Sequence, residues 1–420
     1  MASHPSRSAG SSAEPPRRPL HLLSVFAAIL AAIGACTRPA EERTPAAASS
    51  PAASPQVQAT LPSVPRLRID GTQFVTASGA PFQWRGITAF RLADYIADGQ
   101  EAEAMRFLDW AAAQKLTVVR VLAMMGGQFD LRPEDGRRAL PRVLALAAER
   151  GLYVEVVALA GTADIAVNLQ EHVDAIAAIL TRHANGVLEI ANEPVHPSQS
   201  AEVQNPGVLK ALADRVPPDI LVSLGSIERG DGFGAGTYIT WHAPRDSGRG
   251  GWGHVLALAE GAHLLSRWKK PVISDEPIGA GEVLQPGRRD NEPSRFRAAA
   301  LLSRLTGAGA TFHYEGGLHA LVPQGRELAS FNAWNEAWTM LPADVERTGT
   351  FRAADGADST ERVVRDLDRD AVTGVFERGD ASRAFILVLG TAASPISLVE
   401  GWKITGTRRF DGGELVTAER

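Results

Sequence analysis

The chain has 420 residues, of which 45% are hydrophobic and 22% charged, and a formal net charge of -5. That balance is typical of a soluble globular protein with a sizeable core. It offers nucleic acid no basic stripe, since the short clusters Arg137-Arg138 and Arg288-Arg289 read as solvated faces.

The first 19 residues are polar and carry Arg7, Arg17 and Arg18. The apolar run "LHLLSVFAAILAAIGAC" follows, too short to span a bilayer comfortably and built like the core of a signal peptide. It ends at Cys36, the only cysteine, so no internal disulfide is available. Ile33-Gly34-Ala35-Cys36 resembles a bacterial lipobox. That resemblance implies a signal peptide over residues 1–36, a lipid on Cys36 and a membrane partner reached through it. Because Thr37 follows the cysteine, it also implies the outer membrane of the cell envelope. Residues 37–64, rich in Pro, Ala and Ser, cannot bury a core and read as a disordered tether.

From Arg66 the chain begins with short strands punctuated by Asp70-Gly71 and Ser78-Gly79. The helical stretch "EAEAMRFLDWAAAQK" leads to the strand "TVVRVLA", and "ALPRVLALAAER" leads to "LYVEVVALA". The amphipathic "LQEHVDAIAAILTRHA" precedes "VLEIANEP", and a helix over Leu209 to Arg215 precedes "DILVSLG". Then come "TYITWH", the helix "HVLALAEGAHLLSRWK", the strand "PVISDEP", the helix "PSRFRAAALLSRLTGAG" and the strand "ATFHYEG". The strands centre near residues 86, 120, 155, 189, 222, 239, 273 and 312. Eight apolar strands alternating with helices predict an α/β fold, a (β/α)8 TIM barrel over residues 65–343. The short interval between the fifth and sixth strands predicts a lost helix there, and "RELASFNAWNEAWTMLP" is expected to close the barrel. Beyond residue 344, short strands broken by Gly and Asp predict a small all-β domain over residues 344–420.

Active sites of such barrels lie at the C-terminal ends of the strands. There the second strand carries Arg120, the fourth ends in Asn192-Glu193 and the sixth in Trp241-His242. The seventh ends in Asp275-Glu276 and the eighth in His313-Tyr314-Glu315. Glu193 and Glu276 lie about three βα units apart, so they can face each other across one mouth. Two carboxyl groups ~5–5.5 Å apart suit a retaining glycosidase, in which one attacks the anomeric carbon and the other protonates the leaving oxygen. The acid must then hold its proton through burial and neighbouring negative charge while the nucleophile stays ionised. Arg120 can keep the nucleophile charged, and Asn192 can donate to a sugar hydroxyl.

"LEIANEP" followed by "PVISDEPIG" resembles clan A of the glycoside hydrolases, and most of all cellulase-type enzymes of family five. The lead-in "IDGTQFVTASGAPFQWRGITAF" is similar to that group's as well. The resemblance spans roughly residues 66 to 340 and implies a hydrolase of β-linked glycans. It makes Glu193 the acid/base, Glu276 the nucleophile, Asn192 the sugar-binding amide and Arg120 the supporting arginine. Trp241, His242 and Tyr314 complete the expected substrate contacts with an oligo- or polysaccharide. Three family features are missing. No His follows the third strand, Pro244 stands where a Tyr would be, and "FHYEGG" replaces a terminal Trp.

Alternatives remain at this point. Asp275 rivals Glu276 as nucleophile, since consecutive strand residues point opposite ways and only one faces the pocket easily. Trp241 and Trp252 can be stacking platforms or core residues. The missing family residues also allow a catalytically degenerate carbohydrate-binding lipoprotein. A metal-dependent hydrolase using His242, His313, Glu315 and His319 is the third reading, although no His-Glu-x-x-His occurs. No cofactor and no resident metal is expected; Met124-Met125-Gly126-Gly127 reads as a loop.

Overall fold

The computed structural model describes residues 64–226, 231–242, 264, 267–276, 279–280, 292–342, 352–353, 363–366, 372–377, 382–389 and 396–420. The signal segment, Cys36, most of the tether, Pro244, Trp252, the Arg288-Arg289 pair and most of the helix expected after residue 253 lie outside them. Among the described residues no helix is long and apolar enough to cross a membrane.

Two short strands, β1 (Arg68–Asp70) and β2 (Gln73–Val75), form a hairpin in which Asp70 pairs with Gln73. The turn between them needs the left-handed backbone of Gly71, at φ 58°. The barrel strands are β3 (Arg85–Thr88), β4 (Val118–Leu122), β5 (Tyr153–Leu159), β6 (Gly186–Ala191), β7 (Val222–Ser223), β8 (Ile239–Trp241), β9 (Val272–Ser274) and β11 (Gly309–Tyr314). A two-residue strand, β10 (Gly279–Ala280), pairs with the end of β11. The eight run parallel in the order β7-β6-β5-β4-β3-β11-β9-β8. Between the ends of that order, Thr237 N donates to Val222 O at 2.6 Å, and the Ser223 and Thr240 hydroxyls meet at 2.9 Å. The eight-stranded barrel expected from the sequence is present, nearly closed.

Local chemistry explains the helices. Helix α1 (Leu92–Ala97), which the sequence reading did not anticipate, and α2 (Glu101–Ala113) follow the first barrel strand. The next, α3 (Pro133–Ala148), begins with proline in its first turn, where no donor is lost, and carries Glu134 and Asp135 at its positive end. In α4 (Leu169–Arg182) the Asn168 side chain caps Glu171 N at 3.1 Å, and in α5 (Pro206–Ala213) Asn205 caps Gly207 N at 2.9 Å. Between β7 and β8 only a 3-10 turn, Asp231–Ala235, is found, as the short spacing implied. Helix α6 (Pro293–Thr306) stops at Gly307, φ 80°; α7 (Glu315–Leu318) and α8 (Gly325–Ala337) follow β11.

Strand alternation fills the barrel in layers. At the N-terminal end Trp84, Val118, Tyr153, Val187, Leu221, Tyr238 and Ile273 form one apolar cluster. Leu67 and Phe74 of the hairpin segment join it, the Phe74 and Trp84 rings 5.1 Å apart, so the hairpin plugs that end. Two residues further along each strand the interior turns polar, and this second layer carries the site.

The C-terminal strands β12 (Arg352–Ala353), β14 (Val372–Glu377), β15 (Arg383–Leu389), β18 (Gly413–Glu419) and β17 (Lys403–Phe410) form an antiparallel sheet in that order, and β13 (Val364–Asp366) pairs with β16 (Ser397–Leu398). Alternation divides the faces of β15. Phe385, Leu387 and Leu389 join the main core with the barrel helices, while Ala384, Ile386 and Val388 pack with Trp402 in a separate cluster. Arg408 Nη1 donates to Thr339 O at 3.2 Å, and the Arg297 guanidinium lies over the Phe410 ring, 5.9 Å from its centroid.

Candidate active site

The polar layer is organised by Arg120, whose side chain is completely buried. Its Nη1 donates to Glu276 Oε1 at 2.7 Å, its Nη2 to Glu189 Oε2 and Asn192 Oδ1 at 2.8 Å each, and its Nε to Glu189 Oε2 at 3.0 Å. Asp275 Oδ2 lies 3.3 Å and Glu155 Oε2 3.7 Å from the same Nε. The Phe90 ring covers the guanidinium, its centroid 5.3 Å away. A planar cation with five donors is the side chain able to serve so many acceptors at once.

A second cation centre sits above it. His242 Nδ1 lies 3.2 Å from Glu193 Oε1 and 3.7 Å from Glu276 Oε2, while Nε2 lies 3.3 Å from Asp275 Oδ1. His313 Nε2 is 3.7 Å from Glu276 Oε2, and its Nδ1 is paired with Thr88 Oγ1 at 3.0 Å. Ligand-capable atoms of Glu193, His242 and Glu276 all lie within 4.8 Å of one another. The two glutamates therefore meet across one mouth. Glu193 is the more open of the pair, 19% exposed against 4% for Glu276.

Glu193 adopts a positive φ of 41°, uncommon for a residue with a side chain and costing about 1–3 kcal/mol. Its surroundings impose it. Asn192 N donates to Leu159 O and His196 N to Glu193 O, both at 2.9 Å. The buried Gln199 side chain donates to Asn192 O and accepts from Thr162 Oγ1 at 2.8 Å, tying the ends of β5 and β6 together. Asn192 gives its Oδ1 to Arg120, which leaves its amide donors for another acceptor.

Charge states follow from burial and neighbours. Burial opposes the Arg120 charge, but Glu189, Asp275, Glu276 and Glu155 outweigh it and hold its pKa well above the ordinary value. Burial likewise works against His242; Glu276, Asp275 and Glu193 overcome it, and its pKa stands well above 6.5. Asp275 is pulled below the usual carboxylate range, since His242 and Arg120 outweigh its burial. Glu189 is pushed up to about 7 by burial, against the pull of Arg120. Glu155 is likewise held well above the ordinary carboxylate value, by burial and then by Glu189 and Asp275. Hydrogen bonding agrees. The Tyr238 hydroxyl lies 3.0 Å from Glu155 Oε1 and 3.1 Å from Leu188 O, and its one proton cannot serve both. A proton on Glu155 donated to the phenol oxygen frees the phenol to donate to Leu188 O.

His242 also lies within ion-binding reach of Glu189 and Asp275. The guanidinium of Arg120 already binds Glu189, Asp275 and Glu276, and the imidazole of His242 faces the rest, so these donors do not suit a divalent ion. Of the residues in the metal reading, His319 is exposed, and among the described residues no metal-spaced group includes Glu315 or His319.

The structure brings Arg120, Asn192, Glu193, His242 and Glu276 together and redirects two other candidates. Tyr238, Thr240 and His242 take the inner face of their segment, so Trp241 turns outward into the apolar core, 6% exposed, rather than toward a sugar. Likewise Phe312 and Tyr314 face the helices. The Tyr314 hydroxyl donates to Leu321 O, and His313 occupies the interior position that sequence reading gave to Tyr314. The expectation that only one of Asp275 and Glu276 faces the pocket also fails. Strand β9 ends at Ser274, the next two residues form a bend, and both carboxylates reach Arg120 and His242. Glu155 and Glu189 were missed. Their signal is a lone carboxylate inside an apolar strand; Glu155 pairs in register with Arg120, and Glu189 reaches the same guanidinium from the next strand.

No protein-family profile matches the chain, and no curated protein matches it in sequence. Solved structures do resemble it. One described as a glycoside hydrolase aligns over 86% of this chain and 98% of its own, with a TM-score of 0.58 at 14% identity. A glycoside hydrolase family 5 structure from Bacteroides vulgatus aligns over 87% and 95%, with a TM-score of 0.57 at 12% identity. The fold is thus the one these glycoside hydrolases have, which is the resemblance carried by "LEIANEP" and "PVISDEPIG".

Proposed function

We propose that the protein is a retaining glycoside hydrolase that cleaves β-linked glycans by double displacement. The observation that carries this reading is the meeting of Glu193 and Glu276 across one mouth, their nearest oxygens no more than 4.8 Å apart. That closeness supports a retaining pair, for which carboxyl groups ~5–5.5 Å apart are usual, over an inverting pair at ~6.5–9.5 Å. Glu276, with Oε1 held by Arg120, attacks the anomeric carbon through Oε2 as the glycosidic bond breaks. Glu193, on the more open side, gives a proton to the departing oxygen. In the second step Glu193 removes a proton from water, the water oxygen bonds to the anomeric carbon, and Glu276 departs. The free amide donors of Asn192 suit a sugar hydroxyl, a bond that strengthens as charge develops.

The same proposal puts this activity in the bacterial cell envelope, exported and held there by a lipid on Cys36. Loss of metabolic palmitate labelling in Cys36→Ser tests the anchor.

For the chemistry, a 2-deoxy-2-fluoro aryl β-glycoside should label Glu276 covalently, and Glu276→Gln and Glu193→Gln should each lower phenyl β-glycoside turnover by ~10³-fold or more. Undiminished rates in both variants, or label on another residue, would end the proposal. Glycan binding without hydrolysis of any substrate in a broad panel would favour a degenerate binding protein instead.

A further inference from the structure

We propose that the proton Glu193 delivers to the leaving group is held at rest on Nδ1 of His242, and that Asp275 is the positioning residue fixing this arrangement through Nε2. The inference rests on the hydrolase reading above and assigns its proton path.

The geometry is a line of three groups. Asp275 is fully buried, and its two oxygens face cations, Oδ1 toward His242 Nε2 and Oδ2 toward Arg120 Nε, each at 3.3 Å. The Oδ1–Nε2 contact is an ion pair without hydrogen-bond geometry, and a buried carboxylate at that distance favours the proton on Nε2. The ring nitrogen free to gain and lose a proton is then Nδ1, which faces Glu193 Oε1 at 3.2 Å. Of the four described carboxylates around this ring, Glu193 alone is substantially open, so a proton leaves the cluster through it.

The other charged groups support the same distribution. Glu276 lies 3.7 Å from Nδ1, Glu189 flanks Nε2 beside Asp275, Arg120 stands behind Asp275 and Glu276, and His313 lies beyond Glu276. Glu155 sits on the far side of Arg120. Within this surround His242 carries the proton at neutral pH, its pKa held well above 6.5 by Glu276 and Asp275 against its burial. An acid/base facing an imidazolium differs from one that keeps its own proton beside an anion, as the sequence reading assumed.

The step balances. The Nδ1–H bond of His242 breaks as the Glu193 Oε1–H bond forms, leaving a neutral imidazole protonated at Nε2. Glu193 passes that proton to the glycosidic oxygen as its bond to the anomeric carbon breaks. In the second step Glu193 takes a proton from water, and the Nδ1 lone pair takes it from Glu193. The resting state is restored with no outside reactant. Asp275 touches neither sugar nor water; it selects the tautomer, much as a buried carboxylate orients a catalytic histidine in hydrolases of other folds.

Nitrogen-15 NMR of the ring of His242 in the full chain, assigned by its loss in His242→Gln, tests the proposal directly. Both ring nitrogens should be protonated at pH 7, and in Asp275→Asn the ring should titrate at least one pH unit lower, a tenfold loss of proton affinity. A neutral ring at pH 7, a tautomer bare at Nε2, or an unchanged titration in Asp275→Asn would overturn it. If Asp275→Asn does not fold, the wild-type spectrum alone decides between the imidazolium and the two neutral forms. A kinetic arm uses phenyl and 2,4-dinitrophenyl β-glucosides and β-mannosides, because the dinitrophenolate departs without acid help. Asp275→Asn should lose at least tenfold more rate on the phenyl member of the pair, and equal losses would count against the relay. A wild-type protein that hydrolyses neither class would sink the hydrolase reading, while the NMR result would still stand on the Asp275–His242 pair.

Discussion

Replacing Arg120 with lysine keeps one positive charge in the barrel and removes the fork that distributes it. Arg120 makes four hydrogen bonds of 2.7 to 3.0 Å, two to Glu189 and one each to Glu276 and Asn192. A lysine ammonium is a single point on a flexible stem and cannot reach Glu189, Glu276 and Asn192 together. If it keeps the bond to Glu276, the contacts to Glu189 and Asn192 fall away, leaving one buried carboxylate and one amide oxygen without their donors. Charge-assisted bonds of this kind contribute about 1.5–3 kcal/mol each, and breaking a buried pair costs about 3–5 kcal/mol. Arg120→Lys should therefore be less stable by about 3 kcal/mol, a large share of a typical folding free energy. Misplacement of Asn192 and Glu276 should further lower kcat/KM by ~10²-fold, the size of effect seen when one preorganised donor is lost. Urea unfolding followed by tryptophan fluorescence gives the first number, and phenyl β-glycoside kinetics the second. A variant within 0.5 kcal/mol of wild type by about that margin of error, with activity within about threefold, would show that the fork is not what orders this layer.

Three further perturbations probe the surroundings. Glu155→Gln mimics the protonated carboxyl; because the native pKa is raised, wild type loses stability as pH climbs above the unfolded value, and the variant should gain on it in melting scans from pH 5 to 9. Equal pH slopes would refute a protonated Glu155. His172 has the opposite sign: burial lowers its pKa from 6.5 to about 4, so its stability is intact above pH 6.5 and is lost as pH falls through that window, by roughly 3 kcal/mol in total. His172→Gln should flatten the melting curve against pH there, and an unchanged slope would be inconsistent with a neutral buried imidazole. Gln199→Leu removes the ties to Asn192 O and Thr162, releases the positive φ of Glu193 and should cost ~10-fold or more in kcat/KM on phenyl β-glycosides, with a smaller loss on dinitrophenyl ones. Equal losses on both would argue that Gln199 supports the fold without aiming Glu193.

The eight strands were legible because a parallel barrel strand is apolar throughout and returns at the spacing of a βα unit. Each expected centre falls within an observed strand, at its first residue for 222 and 239. Arg120, Asn192, Glu193 and Glu276 were legible because polar groups at strand exits stand out. The errors share one cause, reading strand ends without carrying the two-residue alternation through them. Counting from Tyr238 would have turned Trp241 outward, and counting from Thr311 would have chosen His313 over Tyr314. Glu155 and Glu189 lay inside apolar runs, where a search of strand ends does not look. A buried Arg120 nevertheless demanded partners, and the strands beside it and next in line each hold one carboxylate in its layer. The joint entry of Asp275 and Glu276 was not legible, because it depends on where the β9 ladder stops, and pairing rather than composition decides that.

The polar layer also constrains the chemistry as a unit. Glu155, Glu189, Glu193, Asp275 and Glu276 face only Arg120 and His242 as strong cations among the groups described above. All five carboxylates cannot be ionised at once in so little space, and protons go first to those farthest from water and from the cations. Glu155, at the bottom, keeps its proton well beyond the ordinary range, Glu189 titrates near 7, and Asp275, between both cations, stays charged. Beyond Glu155 and Glu189, the described carboxylates of the mouth are Glu193, Asp275 and Glu276, set around Arg120 and His242. On the proposed double displacement, these carboxylates face the positive charge that builds on the sugar ring as its bond breaks, where fixed negative groups lower the barrier. Glu276 and Asp275 among them raise the pKa of His242 against its burial. Moving any one charge must therefore move the titration of the others, so the pH profile of Arg120→Lys, which draws the cation away from Glu189, should shift along with its rate.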